Sequence, residues 1–308
     1  MGRPRHVVYL AGVYIDPRDN TWKAWYVTLY PPAYPEITYA VCMITSPDGL
    51  CWTRPELDVY RCHGGERTNI ILDLGKVGGT GAPTIFYEPD REPTPWTMLL
   101  SSCGHNGDEY KEYILRSADG IHWRWTHPMP DGTPHGMGDR CTALRGPDPV
   151  YRYVLMSRGL SDSKAWWGIR IVLRLLLNEK DIEGETTRVV HPDLDDDPSG
   201  QIYHPHAFPH ESMYIGLFQW YWETNDPWAD MELMTSRDTV LWRRVHQRTA
   251  FLPGSPGGGA LAAFDCKRVD TALSAPVGTA WAEGRPASGW KPCGSTTGAR
   301  RRCIAMST

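Results

Sequence analysis

The 308-residue chain has no run approaching the roughly 18 consecutive apolar residues that a membrane-crossing helix needs, so no segment reads as a transmembrane span. Its opening stretch, Met1-Gly2-Arg3-Pro4-Arg5-His6, lacks an apolar core of the signal-peptide kind. The expectation is an unexported, cytoplasmic protein. No C-x-x-C pair occurs among the eight cysteines (Cys42, Cys51, Cys62, Cys103, Cys141, Cys266, Cys293 and Cys303), which argues against a zinc knuckle or a thioredoxin-like motif. Buried thiols are the simpler expectation, with disulfides left open should the protein be secreted. A dominant charge is missing too: 36 acidic against 32 basic side chains leave no strong field to steer the chain toward nucleic acid or anionic lipid. A neutral partner such as carbohydrate fits this balance better. Phenylalanine is scarce, at 5, whereas 14 Trp, 15 Tyr, 30 Gly and 26 Pro favour many short strands joined by frequent turns over long helices.

What the chain does contain is a recurring heptapeptide. It reads Ser46-Pro47-Asp48-Gly49-Leu50-Cys51-Trp52, then Ser117-Ala118-Asp119-Gly120-Ile121-His122-Trp123, then Ser236-Arg237-Asp238-Thr239-Val240-Leu241-Trp242. Asp-Gly between apolar runs predicts a tight hairpin whose central residues need positive φ, with the Trp opening the next strand. Asn178 to Thr186 reads as a degraded copy without the Trp. The four copies begin at positions 46, 117, 178 and 236, a period of roughly sixty residues, which marks one supersecondary unit repeated.

Each period also carries an apolar strand, a turn and an aromatic-rich strand. The segments are His6 to Ile15 with Trp22 to Thr28, Ala82 to Tyr87 with Trp96 to Ser101, Cys141 to Leu144 with Tyr151 to Ser157, and Tyr203 to Phe208 with Met213 to Trp222. Together with the strands flanking each heptapeptide this makes a four-stranded antiparallel unit, and such units repeated about a centre are propeller blades. Gly168 to Leu177 is ambiguous between helix and strand by periodicity, but its place in the repeat assigns it to a strand. After Pro253 the chain turns rich in Gly, Ala, Ser, Pro and Arg with no alternation, a composition that buries too little apolar surface to offset chain entropy. Residues 1–253 are therefore read as the propeller and 254–308 as a degenerate fifth blade or a disordered tail.

The S-x-D-G-x-x-W hairpins, Gly81-Ala82-Pro83-Thr84-Ile85-Phe86-Tyr87-Glu88-Pro89, Gly138-Asp139-Arg140-Cys141-Thr142, and Tyr203 to Glu211 followed by Met213-Tyr214-Ile215-Gly216-Leu217 carry a resemblance. Over residues 5–253 the chain resembles the five-bladed β-propeller glycoside hydrolases, the superfamily of invertases, levansucrases, arabinanases and β-xylosidases. The resemblance implies an all-β, five-bladed propeller, here with its fifth blade incomplete or disordered. It further implies a carbohydrate substrate, cleavage of a small or terminal glycosidic linkage and no cofactor. The N-terminal Asp, Arg-Asp-Pro and Glu-Cys motifs of invertases are absent.

In a propeller the start of the first strand, the end of the second and the start of the third meet on one face. Residues there include Glu36, Tyr39, Glu109, Asp139, Arg140, Arg158, His204, His206, Glu223, Asp230 and Glu232. Glycosidases need two carboxyl groups across a sugar, separated by about 5 to 9 Å. Asp139, beside Arg140 at the mouth of an inner strand, is the candidate base or nucleophile, its alternative being a salt bridge between blades. Glu223 and Asp230, flanking the loop from Thr224 to Ala229, compete for the acid, or else sit on a solvated loop edge. Arg140, Arg158, Tyr203, His204 and His206 are the candidate substrate-binding residues. His204 and His206 alternate about Pro205 and so share a face; with His210 beyond Pro209 at the other end of the strand, no metal site is expected. The run Phe218, Trp220, Tyr221, Trp222 stacks on sugars or packs between blades. The rival reading is a propeller without chemistry, either a carbohydrate-binding module or an inactive truncated homologue.

Overall fold

The structure is a computed structural model that describes residues 6–29, 39–62, 65–74, 83–103, 110–128, 141–148, 150, 152–160, 169–178, 186–222 and 228–254, together with four two-residue strands further on. The described residues form four four-stranded antiparallel sheets in a propeller arrangement, with no α-helix among them. In the first blade β1 (His6–Asp16), β2 (Thr21–Leu29) and β3 (Tyr39–Ser46) pair in order. A small hairpin of β4 (Leu57–Cys62) and β5 (Glu66–Thr68) then intervenes before β6 (Ile70–Asp73) closes the edge. The second blade is β7 (Thr84–Tyr87), β8 (Trp96–Cys103), β9 (Tyr110–Ser117) and β10 (Trp123–Pro128). The third is β11 (Cys141–Arg145), β12 (Tyr153–Leu160), β13 (Arg170–Leu177) and β14 (Thr187–Val190). The fourth is β15 (Gly200–His210), β16 (Met213–Trp222), β17 (Trp228–Ser236) and β18 (Arg243–Arg244). The ambiguous segment before Asn178 is thus a blade strand, as the repeat required.

The fifth blade is not among the described sheets. Beyond residue 254 the structure describes β19 (Leu261–Ala262), β20 (Arg268–Val269), β21 (Ala272–Leu273) and β22 (Thr279–Ala280), with β19 paired to β22 and β20 to β21. β19 lies against β17 and β22 against β1, so these strands touch both the last and the first blade. The rest of 255–308 lies outside the described residues. Up to Gly254 the chain is tied to the fourth blade: Met231 and Leu252 form a bridge, and the Gly254 amide donates to Asp230 Oδ1 at 2.7 Å.

The heptapeptide turns out to be a side-chain-held turn and not the tight Asp-Gly hairpin expected. Five residues, 118–122, separate β9 from β10, and only the fourth position of each copy has positive φ, at 71° for Gly49, 76° for Gly120 and 65° for Thr239. Ser117 Oγ accepts from the amides of Asp119 and Gly120, at 3.2 and 2.8 Å, while Asp119 Oδ1 accepts from those of Ile121 and His122, both at 2.8 Å. The Trp123 indole donates to the Gly120 carbonyl at 3.2 Å. The same bonds recur around Ser46, Asp48 and Trp52 and around Ser236, Asp238 and Trp242. The Ser, Asp and Trp side chains of S-x-D-G-x-x-W therefore each satisfy backbone groups the turn would otherwise leave unpaired.

Blades pack face to face through apolar layers. Trp25, Val27 and Met43 of the first meet Ile85, Trp96, Met98 and Leu115 of the second. Phe86, Leu99 and Ile114 meet Tyr153, Leu155 and Leu175 of the third, whose other face (Val154, Met156, Val172) meets Ile202, Phe218 and Trp220 of the fourth. Charged groups reinforce the joints. Buried Glu88, just after β7, accepts from Arg116 Nη1 at 2.9 Å, Arg152 Nε at 2.7 Å, Tyr153 OH at 2.7 Å and Thr97 Oγ1, joining the second blade to the third. Burial opposes its ionisation, but the bonds from Thr97 and Tyr153 and the charges of Arg152 and Arg116 outweigh it and hold its carboxyl below the usual range.

Candidate functional site

Antiparallel order brings the start of β11, the end of β12 and the starts of β13 and β15 to one end of the blades. There the inner strand of the fourth blade is irregular: Ile202 faces Trp220 and Pro205 faces Phe218, so that Tyr203 and His204 together stand opposite Gln219. This is a β-bulge, the device that re-aims side chains beside functional sites. Proline is tolerated in the strand because inner strands have an edge that donates to no partner. Tyr203 and the His204–His206 pair both meet side chains of the third blade, Arg158 and Arg170 in the first case and Thr142 in the second.

His204 is buried, and its ring meets that of His206 edge to face with centroids 5.1 Å apart, as a shared face requires. His206 Nδ1 lies 3.3 Å from Thr142 Oγ1 of β11, which links the mouths of the third and fourth blades. Burial disfavours the imidazolium and pushes His206 down to about 4, so near neutral pH it is an uncharged ring able to donate through one nitrogen and accept through the other.

Tyr203 is the centre of a second cluster. The Arg158 guanidinium sits 4.5 Å from the centre of its ring and that of Arg170 5.3 Å, while Tyr221 lies beside it with centroids 5.3 Å apart at 33°. Arg170 Nη1 also donates to Gln201 Oε1 at 2.9 Å. Of the substrate-binding candidates, the structure therefore brings Arg158, Tyr203, His204 and His206 together. Arg170 and Gln201 belong with them and were not anticipated. Their signal was in the repeat, because the pairing of Leu160 with Arg170 places Arg170 at the same strand end as Arg158.

Among the carboxylate candidates, Asp139 and Glu223 lie outside the described residues, as do Arg140, Glu36 and Glu109. Asp230 is held by its own blade: Oδ2 accepts from the Trp222 indole at 2.7 Å and Oδ1 from the Gly254 amide at 2.7 Å. Glu232 is also engaged, accepting from Nε and Nη2 of the Arg244 guanidinium at 2.8 to 3.0 Å while that arginine stacks 5.1 Å from the Trp220 ring. Burial raises the Glu232 carboxyl, against the pull of Arg244. Arg244 continues to Asp196 at 2.6 Å, and Arg248 forks onto Asp193, so this network seals the loop leading into the fourth blade. One acidic residue was missed: Glu112, buried near the start of β9 opposite Ser101, in phase with Ile114 and Arg116 on the face toward the third blade. Among the described residues no group of three or more His, Cys, Asp and Glu side chains is placed to hold a metal, and His210 stands at the other end of β15 from Tyr203.

The described sheets form a β-propeller arrangement, and the solved structures of similar fold include an endo-arabinase and an arabinanase. The chain is similar to an endo-arabinase from Bacteroides thetaiotaomicron, with TM-score 0.55 at 10% identity over 82% of this chain and 83% of that one. It is similar also to an α-L-arabinanase from Penicillium chrysogenum complexed with arabinobiose, with TM-score 0.52 at 12% identity over 83% and 70%. A protein of unknown function from Dyadobacter fermentans aligns with TM-score 0.50 at 14% identity over 84% and 72%. No protein-family model and no curated protein matches the chain. At such identities the likeness is one of fold.

Proposed function

We propose that the protein is a glycoside hydrolase-like propeller that takes a small or terminal sugar unit at the mouths of its third and fourth blades. The observation carrying this reading is the bulge at Tyr203 and His204, which groups an aromatic face, two imidazoles and two guanidinium groups where the inner strands begin. Aromatic faces bind sugar rings, and neutral imidazoles donate to and accept from hydroxyls. In the hydrolytic reaction Asp139 serves as base or nucleophile beside Arg140, and Glu223 protonates the departing glycosidic oxygen. Asp230 takes a supporting part, holding Trp222 and the chain after Leu252 in place.

The test is a screen of the purified protein against aryl glycosides, followed by Asp139→Asn. Turnover that vanishes while the melting temperature is kept supports the assignment; full turnover per folded molecule removes Asp139 from the mechanism. The engagement of both Asp230 oxygens favours a second reading, a non-catalytic carbohydrate-binding propeller, since it withdraws one of the two acid candidates. Sugar binding without turnover on any aryl glycoside identifies that case.

A further inference from the structure

We propose that Trp125 and Tyr113 form a second carbohydrate-binding site, on the outer rim of the second blade, which takes a stretch of a neutral polysaccharide chain. The inference rests on the sugar-binding reading above and extends it from a terminal unit to the polymer that carries it. β10 is the edge strand of its blade, paired to β9 alone. Its register slips between Trp125 and His127, so that Trp125 faces Leu115, His127 faces Ile114, and Thr126 is the extra residue of a β-bulge. The Thr126 hydroxyl donates to the Ile114 carbonyl at 2.9 Å and pins the bulge. A bulge bends its strand and re-aims the side chains beside it. Trp125 is left 44% exposed, whereas Trp123, two residues earlier on the regular part of the strand, packs on the core between the first and second blades.

Tyr113 braces the exposed indole. The two rings meet edge to face, with centroids 5.3 Å apart at 80°, and Tyr113 in turn packs on the same core. The indole is thereby oriented before a ligand arrives, which lowers the entropic cost of binding. Its apolar face suits the C–H face of an uncharged sugar ring. The exposed area discriminates between partners. Of a tryptophan's roughly 250 Å², an exposure of 44% leaves about 110 Å² within reach, enough for one sugar ring and far below the roughly 800 Å² per partner that a stable protein interface buries. Among the described residues no other large apolar side chain of the second blade is exposed, so the indole does not belong to a wider protein-binding patch. β10 lies three strands outward from β7, about 14 Å at the usual strand spacing, and the bulge at Tyr203 and His204 belongs to another blade. A single sugar unit cannot reach both places. A chain of several units can, and its capture at the rim raises the local concentration of sugar at the strand mouths.

The experiment compares, by calorimetry on the whole protein, soluble xylan, mannan, glucan, galactan and arabinan with the disaccharides of the same repeats. At least one polysaccharide should bind about tenfold tighter than its disaccharide, and Trp125→Ala should remove that advantage. Trp125→Tyr, which keeps an aromatic face, should retain part of it. If the alanine variant fails to fold, oxidation of Trp125 by N-bromosuccinimide in the unmodified protein decides the matter: the polysaccharide should protect the indole and the disaccharide should not. An undiminished advantage in Trp125→Ala, or a polysaccharide that binds no better than its disaccharide, overturns the rim site and leaves the sugar-binding reading standing. Self-association of the parent that Trp125→Ala abolishes, with no polysaccharide bound more tightly than its disaccharide, assigns the indole to a second copy of the chain and overturns the rim site too. Failure of every polysaccharide and every disaccharide to bind overturns both readings, and is told apart from the other outcomes because the disaccharides fail as well.

Discussion

The indole nitrogen of Trp25 donates to the carbonyl oxygen of Gly120 at 2.8 Å, fastening the hairpin of the second blade onto the second strand of the first. The contact explains why glycine stands at position 120. A Cβ there would lie 2.7 Å from Trp25 Cζ2, and the backbone holds φ at +76°. Gly120→Ala should therefore cost about 2 kcal/mol or more, combining left-handed strain with overpacking. At Gly65 φ is +93° but nothing lies within 4 Å of an added Cβ. Gly65→Ala should accordingly cost about 1 kcal/mol, from strain alone. Chemical denaturation of both variants checks the order.

Thr239 occupies the corresponding position in the fourth blade. It holds φ at 65°, unusual for a β-branched residue, and its hydroxyl accepts from Arg174 Nε of the third blade at 3.0 Å. Thr239→Gly loses that bond but relieves the backbone, whereas Thr239→Val loses it and keeps the strain. Valine should be the more destabilising, by about 1 kcal/mol over glycine. A reversed order in thermal melts would show that side-chain packing, and not backbone strain, decides position 239.

Glu88→Gln keeps the shape of the side chain but turns an amide nitrogen toward donors that need an acceptor. A loss of about 3 kcal/mol is expected, since the partner arginines are left without the carboxylate that neutralises them. The pH dependence has a definite sign. The folded-state pKa lies below the ordinary value, so the contribution is fully present above roughly pH 5 and is lost as pH falls through the depressed value. The stability gap between parent and variant should be constant at neutral pH and close in acid, which urea midpoints measured across that range will show.

His206 works in a different window. Its pKa falls from 6.5 to about 4 through burial, so between those values the unfolded chain binds a proton that the folded protein does not. Stability should therefore decline as pH drops from about 6.5 toward 4, and His206→Asn, which has no proton to bind, should lack that part of the slope. Parallel slopes for the two proteins would mean that the ring is solvated more freely than its packing against His204 and Thr142 implies.

Local chemistry was legible in the chain from the start. Ser, Asp and Trp of the heptapeptide each satisfy a group within six residues, so the turns and the blade period could be read without long-range information. The strand order followed, because alternating apolar positions leave few ways to bury both faces of a sheet. Even there the turn type was misjudged: side-chain bonds from Ser117 and Asp119 hold a longer connection than Asp-Gly alone suggests.

The use of each charged residue was decided by the tertiary structure. Asp230 reads as an acid on a loop edge until Trp222 and Gly254 are seen to take both its oxygens, and Glu88, a turn residue by position, becomes the buried tie between two blades. Arg170 joined the site because a bulge turned Tyr203 toward it. Sequence periodicity records which side chains share a face, since that depends on a few bonds along the backbone. Which charges meet depends on how separate blades pack, and residues such as Glu88 and Tyr153, far apart in the chain, become neighbours only once the faces between them have closed.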